Sequence, residues 1–253
     1  FTFDNNNFKQ ILKLSNNHDL AAIKLEVTRN DDTSKIFLKK LRKLADKKKI
    51  VLIFDECTSG FRETFGGIYK KFNVNPDIVL YGKSLGNGYP ITAMVGREDI
   101  MNYCNKTFLS STFWSDRIGP TAGLATLSEM EKIKSWEIIS QIGKKIKIKW
   151  SKISSTNNLD LNIQGISSLP NFSFKSKNNL ICKLFITQEM LKKKILANMS
   201  IYVCIDHNEE VLKKYFDCLN DIFYKLSKKN DKEILSLIDK VVIDDLKKNK
   251  VIF

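Results

Sequence analysis

Several patterns that mark particular classes of protein are missing from this sequence. The five cysteines include no C-x-x-C pair, and the two histidines, His18 and His207, lack the spacing of metal ligands, so neither a disulfide framework nor a metal site is indicated. No apolar run approaches the roughly 18 residues of a membrane span, and no signal-peptide pattern is visible. These absences favour a globular cytoplasmic protein with reduced thiols, without a membrane partner.

The charge of the chain is strongly biased toward one sign, at +14. Such a surplus suggests nucleic acid as a partner, because clustered Lys and Arg release counterions from phosphates. Here the basic residues are mostly lysines spread along the whole chain, and no zinc-finger or basic-zipper pattern accompanies them. We therefore expect solvated surfaces and no nucleic-acid partner.

The order of elements in the first half predicts an α/β fold with a mixed, mostly parallel sheet. Strands are predicted at 20–25, 50–54, 78–81 and 91–95, and an amphipathic helix at 34–48. A continuous apolar strand after a helix is typical of a βαβ unit covered on both faces. The residues expected on the buried side of the helix are Ile36, Leu38, Leu41, Leu44 and Ala45.

The second half predicts a smaller α/β domain. One helix is expected to run from Leu127 through Ile146, and the polar segment 154–158 suggests a boundary that divides the chain into residues 1–153 and 154–253. Strands at 172–174 and 200–205 alternate with helices near 184–197 and 209–227, and a helical tail follows.

Two residues with possible chemistry follow predicted strands. Asp55 comes directly after an apolar strand, where ligands of parallel sheets gather, although a carboxylate that caps a helix is an equal alternative. Lys83 follows another strand between glycines, where partial burial can turn a lysine into a nucleophilic amine, although it can also be a solvated loop charge. Together, an acid and a lysine at two strand ends suit pyridoxal phosphate, which needs one partner for its ring nitrogen and one for its aldehyde.

Three segments carry a family resemblance: "LIFDECTSGFR", "GGIYKKFNVNPDIVLYGKSLGNGYPITAMVG" and "SSTFWSDRIGPTAGLATLSEM". They resemble consecutive motifs of the class III pyridoxal-phosphate aminotransferases, and within that class most resemble the glutamate-1-semialdehyde aminomutases. The resemblance covers roughly residues 1 to 225. It implies the C-terminal part of a fold-type I large domain followed by a small α/β domain.

The resemblance also implies roles for individual residues. Lys83 would form the internal aldimine with pyridoxal 5'-phosphate and shuttle the proton, and Asp55 would partner the pyridine nitrogen. Cys57 stands where the family usually has a valine against the ring face. Thr112 would reach the phosphate of the neighbouring subunit's cofactor in a homodimer, with an ordinary Ser/Thr-rich turn as the alternative.

Other positions depart from the family pattern. Glu26 occupies a position near the substrate, but Val27 replaces the usual proline, and a surface salt bridge is as good an interpretation. Trp114 and the three residues after it replace the usual Ser-Gly-Asn-Pro, so the substrate-side wall is expected to differ. Tyr89 and Phe113 are expected to pack beside the cofactor.

The resemblance implies amino-group transfer between an amine or amino acid and an oxo acid, aldehyde or keto-sugar. Intramolecular transfer of the aminomutase type is the alternative. The family's phosphate-binding Gly/Ser-rich turn is not found before Leu20, and the chain begins without Met, so we expect a fragment of a longer enzyme. A non-catalytic piece that retains the dimer surface is the third hypothesis.

Overall fold

The computed structural model describes residues 1–28, 33–110, 112, 113, 115–240 and 244. The chain divides into two compact units, Phe1–Ile138 and Ile139–Phe253. The division proposed from the sequence, after residue 153, stays a prediction; that residue lies within a helix that ends at Thr156.

The first unit is built on a four-stranded sheet in which the strand order follows the chain order. The first three strands are parallel and the fourth runs antiparallel to the third, so the predicted mixed, mostly parallel α/β sheet is confirmed. The strands are β1 (Ala22–Glu26), β2 (Val51–Asp55), β3 (Ile78–Tyr81) and β4 (Ala93–Gly96).

Helices α1 (Phe8–Asn17) and α2 (Lys35–Lys48) flank β1 in the sequence. Helix α2 begins where the Ser34 hydroxyl accepts a hydrogen bond from the Ile36 amide, and it ends at Lys49 in the left-handed conformation. The predicted inward position of Ile36 is wrong, because this side chain is 66% exposed and Phe37 is buried instead. Phe37 lies one and four residues before Leu38 and Leu41, so it continues their buried stripe.

The two faces of the sheet are buried to different extents. Along β2 the side chains alternate between buried and half-buried, with Leu52 and Phe54 fully buried and Asp55 on the half-buried face. This alternation differs from the expected burial on both faces. It leaves the face that carries Asp55 partly open to solvent, which allows a polar site there.

The remaining helices of the first unit are α3 (Glu98–Met101) and α4 (Ile118–Ile133). Short 3-10 helices occupy Ile68–Phe72, Lys83–Leu85 and Asn102–Lys106. Helix α5 (Ser135–Thr156) follows α4 after a single residue, Lys134, which has a φ of 51°. The single helix predicted from Leu127 through Ile146 is therefore two helices.

The second unit packs helices around a two-stranded antiparallel sheet, β5 (Leu161–Gln164) and β6 (Asn171–Phe174). Its helices after α5 are α6 (Asn179–Lys192), α7 (Glu209–Ser227) and α8 (Asp231–Ser236). Its core is rich in aromatic side chains, and the fully buried Trp150 donates a hydrogen bond from Nε1 to the Tyr215 hydroxyl at 3.0 Å.

The strand predicted at 200–205 is wrong. Only Ser200 forms a bridge, to Asn171, although the Ile201 amide donates to the Pro170 carbonyl and the Val203 amide to the Ser168 carbonyl. The segment therefore lies beside residues 168–171, joined to them by these two amides and one bridge, and is not a strand. In the described part of the chain, no helix combines the length and hydrophobicity that crossing a membrane requires.

Candidate active site

Asp55 and Lys83 lie at the same edge of the sheet. Asp55 is the last residue of β2, and Lys83 comes two residues after β3 ends at Tyr81. Because β2 and β3 are adjacent and parallel, with Asp55 beside Leu80, their carboxyl ends meet at one edge. This edge is where ligands of parallel α/β sheets bind.

The Asp55 carboxylate is hydrogen-bonded through both oxygens. Oδ1 accepts the Cys57 amide at 3.2 Å, and Oδ2 lies 3.0 Å from the Lys24 ammonium. Partial burial raises the pKa of Asp55, but the hydrogen bonds from Lys24 and Cys57 outweigh it and hold that pKa below its ordinary value. Asp55 is therefore an ionised carboxylate at neutral pH. None of the helices that the structure describes begins at Asp55, so the alternative of a helix cap is not observed there.

Lys83 is held from its backbone and from its amine. Its φ of 44° lies in the left-handed region, which disfavours side chains, and the residue opens the 3-10 helix Lys83–Leu85. The exposed side chain donates from Nζ to Thr58 Oγ1 at 2.6 Å. Thr58 is buried and follows Asp55 by three residues, so this hydrogen bond joins the loop after β2 to the loop after β3.

Cys57 lies between these two loops. A Cβ added to Gly82 would meet Cys57 Sγ at 3.5 Å and Thr92 Cγ2 at 3.4 Å, so the thiol packs against the backbone just before Lys83. Burial, and then the nearby Asp55, raise the pKa of the Cys57 thiol, which therefore stays protonated at neutral pH. Here it acts as a small apolar group.

A buried acid fixes the loop that follows β2. Glu56 is fully buried, and its carboxylate accepts hydrogen bonds from the Ser59 hydroxyl and from the Ile68 and Tyr69 amides. Burial raises the pKa of Glu56 despite these bonds. Its partners at the start of the 3-10 helix Ile68–Phe72 identify it as a structural residue. Arg62 donates from Nε to the Thr58 carbonyl at 2.7 Å, as expected for a residue that fixes this loop.

A second buried acid, Asp77, connects β2, α2 and the end of β4 just before β3 begins. It accepts the Leu52 amide at 2.8 Å and pairs with Arg42 of α2 and Arg97 after β4. Burial raises its pKa, but these donors outweigh the effect and hold the pKa below the ordinary value. Asp77 thus ties β2, α2 and the end of β4 to the start of β3.

The remaining predicted site residues have fewer described contacts with Asp55 and Lys83. Glu26 ends β1 directly beside Asp55 in the parallel register. Thr112 is exposed, and its neighbours Ser111 and Trp114 lie outside the described residues. Tyr89 and Phe113 are 56% and 77% exposed, so packing of these rings within the described chain is not observed.

Sequence reasoning missed two residues at this edge. Lys24 pairs with Asp55, and Thr58 receives the Lys83 amine. The signal for Lys24 is a charged residue inside a predicted strand, two positions before Glu26 on the same face. Thr58 carries no comparable signal.

Comparison with known proteins matches residues 8–200 to the model of the class III aminotransferases. The chain is 29% identical over 238 residues to 3-aminobutyryl-CoA aminotransferase of Cloacimonas acidaminovorans, covering 89% of this chain and 57% of the relative. It is 28% identical to glutamate-1-semialdehyde 2,1-aminomutase of Ignicoccus hospitalis, covering 84% of this chain and 55% of the relative. The chain thus spans about half the length of the curated relatives it matches.

Solved structures share the fold. The internal-aldimine form of the FumI protein from Sphingopyxis sp. MTA144 has a TM-score of 0.81 at 17% identity, covering 91% of this chain and 56% of that one. An omega-transaminase from Sphaerobacter thermophilus also has a TM-score of 0.81, covering 90% of this chain and 57% of that one. The fold is therefore that of the pyridoxal-phosphate transaminases. The family model covers most of the chain, and the chain belongs to the class III aminotransferase family.

Proposed function

We propose that the protein transfers an amino group between an amine or amino acid and an oxo acid, aldehyde or keto-sugar, with pyridoxal 5'-phosphate as its cofactor. The observation that carries the proposal is the pair of Asp55 and Lys83 at the ends of adjacent parallel strands. Class III membership adds support, since relatives of this chain carry the names of an aminotransferase and of aminomutases.

The residues at this edge fit the cofactor. Asp55 is an ionised, partly exposed carboxylate, the group that a protonated ring nitrogen requires. Lys83 offers an exposed primary amine for covalent attachment of the aldehyde carbon, and Cys57 is a small neutral side chain beside it that a ring face can contact. When bound, the cofactor supplies an electron sink for the substrate carbon that loses a proton.

The chain's own residues then have distinct tasks. The Lys83 amine would hold the aldehyde carbon of the cofactor and, when free, would accept and return the proton that moves along the substrate. Thr58 accepts a hydrogen bond from the free Lys83 amine and so holds that amine in position. Asp55 keeps the ring nitrogen protonated, and Glu26 lies beside it on the face where substrate would enter.

A homodimer belongs to this proposal. Thr112 is exposed, as a residue that reaches a neighbouring subunit's cofactor phosphate must be. Exposed apolar side chains at Phe108, Phe113 and Ile118 surround it in the sequence and supply apolar surface for a second subunit. The reduced thiols are consistent with a cytoplasmic location.

The test is covalent trapping in the full-length protein. Pyridoxal phosphate is added, the absorbance spectrum recorded, and the adduct reduced with borohydride and mapped by peptide mass spectrometry. We expect label at Lys83, its loss in Lys83→Ala, and unchanged labelling in Lys39→Ala, an exposed lysine of α2. Absence of label at Lys83 in the wild-type protein would contradict the proposal and favour a non-catalytic role.

Intramolecular transfer is the second candidate, favoured by the several aminomutases among the relatives, one of them 32% identical over 209 residues, from Legionella pneumophila. The two functions differ in what is released. With glutamate-1-semialdehyde as the only substrate, an aminomutase forms the isomeric amino acid without net loss of amine. A transaminase requires a separate amino donor and releases an oxo product, so product analysis separates them.

A further inference from the structure

Lys24 places a cation on the open face of the sheet. It lies in the middle of β1, where its parallel-strand neighbour is Ile53, and it shares its face with Glu26 and Asp55. Its side chain is 55% exposed, and its ammonium lies 3.0 Å from Asp55 Oδ2. A long, half-exposed lysine can hold this carboxylate and can also turn away into solvent.

Both oxygens of the Asp55 carboxylate already have a partner while Lys24 is bound. Oδ1 accepts the Cys57 amide and Oδ2 faces the ammonium. A protonated ring nitrogen that approached Oδ2 would meet a like charge within hydrogen-bond range of the same oxygen. Two cations beside the same carboxylate oxygen repel each other, and Lys24, whose side chain is 55% exposed, is the one that can turn away into solvent.

We propose that Lys24 is a resident counterion of Asp55 that competes with the ring nitrogen of the cofactor. This inference rests on the proposed function, in which Asp55 binds that nitrogen. Before the cofactor binds, Lys24 neutralises the Asp55 carboxylate and donates a hydrogen bond to it. When the cofactor binds, the ammonium leaves Oδ2 and swings into solvent, so that breaking this ion pair is part of loading.

The proposal is tested by cofactor binding rather than by turnover. The dissociation constant of pyridoxal phosphate is measured at low and high salt for the full-length wild-type protein, Lys24→Met and the charge-matched control Lys39→Met. An exposed ion pair is worth little, so we expect Lys24→Met to bind about two- to fivefold more tightly at low salt, and the gain to shrink as salt screens the pair. Lys39→Met, which also removes one positive charge, is expected to show no gain.

A second measurement needs no cofactor. Carbon-13 NMR of the Asp55 carboxyl in the cofactor-free protein is expected to show a higher pKa in Lys24→Met than in the wild type, and a pKa near the wild-type value in Lys24→Arg, which keeps the cation. Arginine at this position is also expected to bind cofactor no more tightly than lysine does.

The outcomes separate this proposal from the one it rests on. If the wild type is labelled at Lys83 but Lys24→Met binds the cofactor as the control does, or more weakly, competition by Lys24 is excluded while the proposed function stands. If neither protein binds the cofactor, both proposals fail. An Asp55 pKa that is the same in the wild type and in Lys24→Met would show that the ion pair does not form in solution.

Discussion

At the scale of single residues, Lys83 adopts a backbone conformation that glycine adopts more easily. Its φ of 44° brings Cβ close to the backbone, a strain of about 1–2 kcal/mol in the left-handed region. Such strain at a site persists only when the surroundings enforce it, and here the hydrogen bond from the Lys83 amine to Thr58 and the one from the Gly86 amide to the Lys83 carbonyl contribute.

We predict that Lys83→Gly is more stable than Lys83→Ala by about 1 kcal/mol. Both variants lose the amine and its hydrogen bond to Thr58, so the difference between their unfolding free energies reports the backbone strain at residue 83. Urea unfolding of the two proteins, followed by circular dichroism, measures it. Equal midpoints would mean that residue 83 is not in the left-handed conformation in solution.

Asp77 gives a second prediction at this scale. Asp77→Asn removes a buried negative charge on which Arg42, Arg97 and the Leu52 amide converge, and we expect a loss of about 2 kcal/mol of unfolding free energy because their hydrogen bonds to it are no longer charge-assisted. Asp46→Asn is the matched control, since Asp46 pairs with the same Arg42 but is 61% exposed. Its expected loss is below about 1 kcal/mol. Similar losses in both variants would contradict the structural role of Asp77.

The pH dependence of this difference follows from the sign of the shift. The pKa of Asp77 is lower in the folded protein than in the unfolded chain, so the carboxylate stabilises the fold above the unfolded value and this contribution disappears as pH falls through the folded value. The gap between wild type and Asp77→Asn should therefore be wide at pH 7 and narrow below about pH 4. Unfolding curves across that range measure it.

The residues at the candidate site were predictable to different degrees. Asp55 and Lys83 could be named because each lies just after an apolar run, and the ends of such runs fall at one edge of a parallel sheet. Their contacts could not, because the register that brings Lys24 to Asp55 depends on how β1 aligns with β2. Nor does a threonine in a loop reveal that it will accept the Lys83 amine.

At the scale of elements, two helical glycines have opposite surroundings. A Cβ on Gly143 of α5 would lie 1.6 Å from the Ser167 carbonyl oxygen, whereas one on Gly123 of α4 would meet its nearest atom at 3.5 Å. Only at residue 143 is the absent side chain a condition for packing, because the neighbour is backbone and cannot rotate away.

We predict that Gly143→Ala lowers the unfolding free energy by about 2 kcal/mol or more, through displacement of the segment around Ser167. Gly123→Ala is expected to raise it by about 0.5–1 kcal/mol, because alanine favours a helix and fits in this space. Denaturant unfolding of both variants provides the measurement. A neutral Gly143→Ala would show that α5 does not approach Ser167 this closely.

Element type was predicted better than element boundaries. The helix at 209–227 matches α7, and the strand at 78–81 matches β3, because their apolar spacing is long or continuous. The break between helices at Lys134 was not predicted, because the apolar spacing continues across it and no glycine or proline marks it. The segment at 200–205 has strand-like composition, but Ile201 donates to Pro170, which has no amide N–H to donate in return, so no two-sided ladder forms there.

At the scale of the whole molecule, the proposed cofactor residues Asp55, Cys57, Lys83 and Thr112 all belong to the first compact unit. The second unit has its own aromatic core around Trp150 and Phe223. Composition and charge predicted a globular chain and excluded several classes, but they carried no information on which residues each unit contains.

We predict that pyridoxal phosphate slows hydrogen–deuterium exchange in peptides covering 55–62 and 80–92 of the full-length protein. Peptides that cover α7 should exchange at unchanged rates, because that helix belongs to the other unit. Lys83→Ala should weaken the protection at 80–92. Uniform protection across both units would argue against a cofactor site confined to the first.

The left-handed backbone at Lys83 also affects how variants of this protein should be selected. A library screened for heat resistance alone rewards any change that relaxes a strained position, and glycine at residue 83 is such a change. The survivors would be enriched in proteins that lack the amine on which the proposed chemistry depends. Directed evolution of this chain therefore needs a selection that keeps Lys83 fixed, or one that scores covalent cofactor binding beside thermal tolerance.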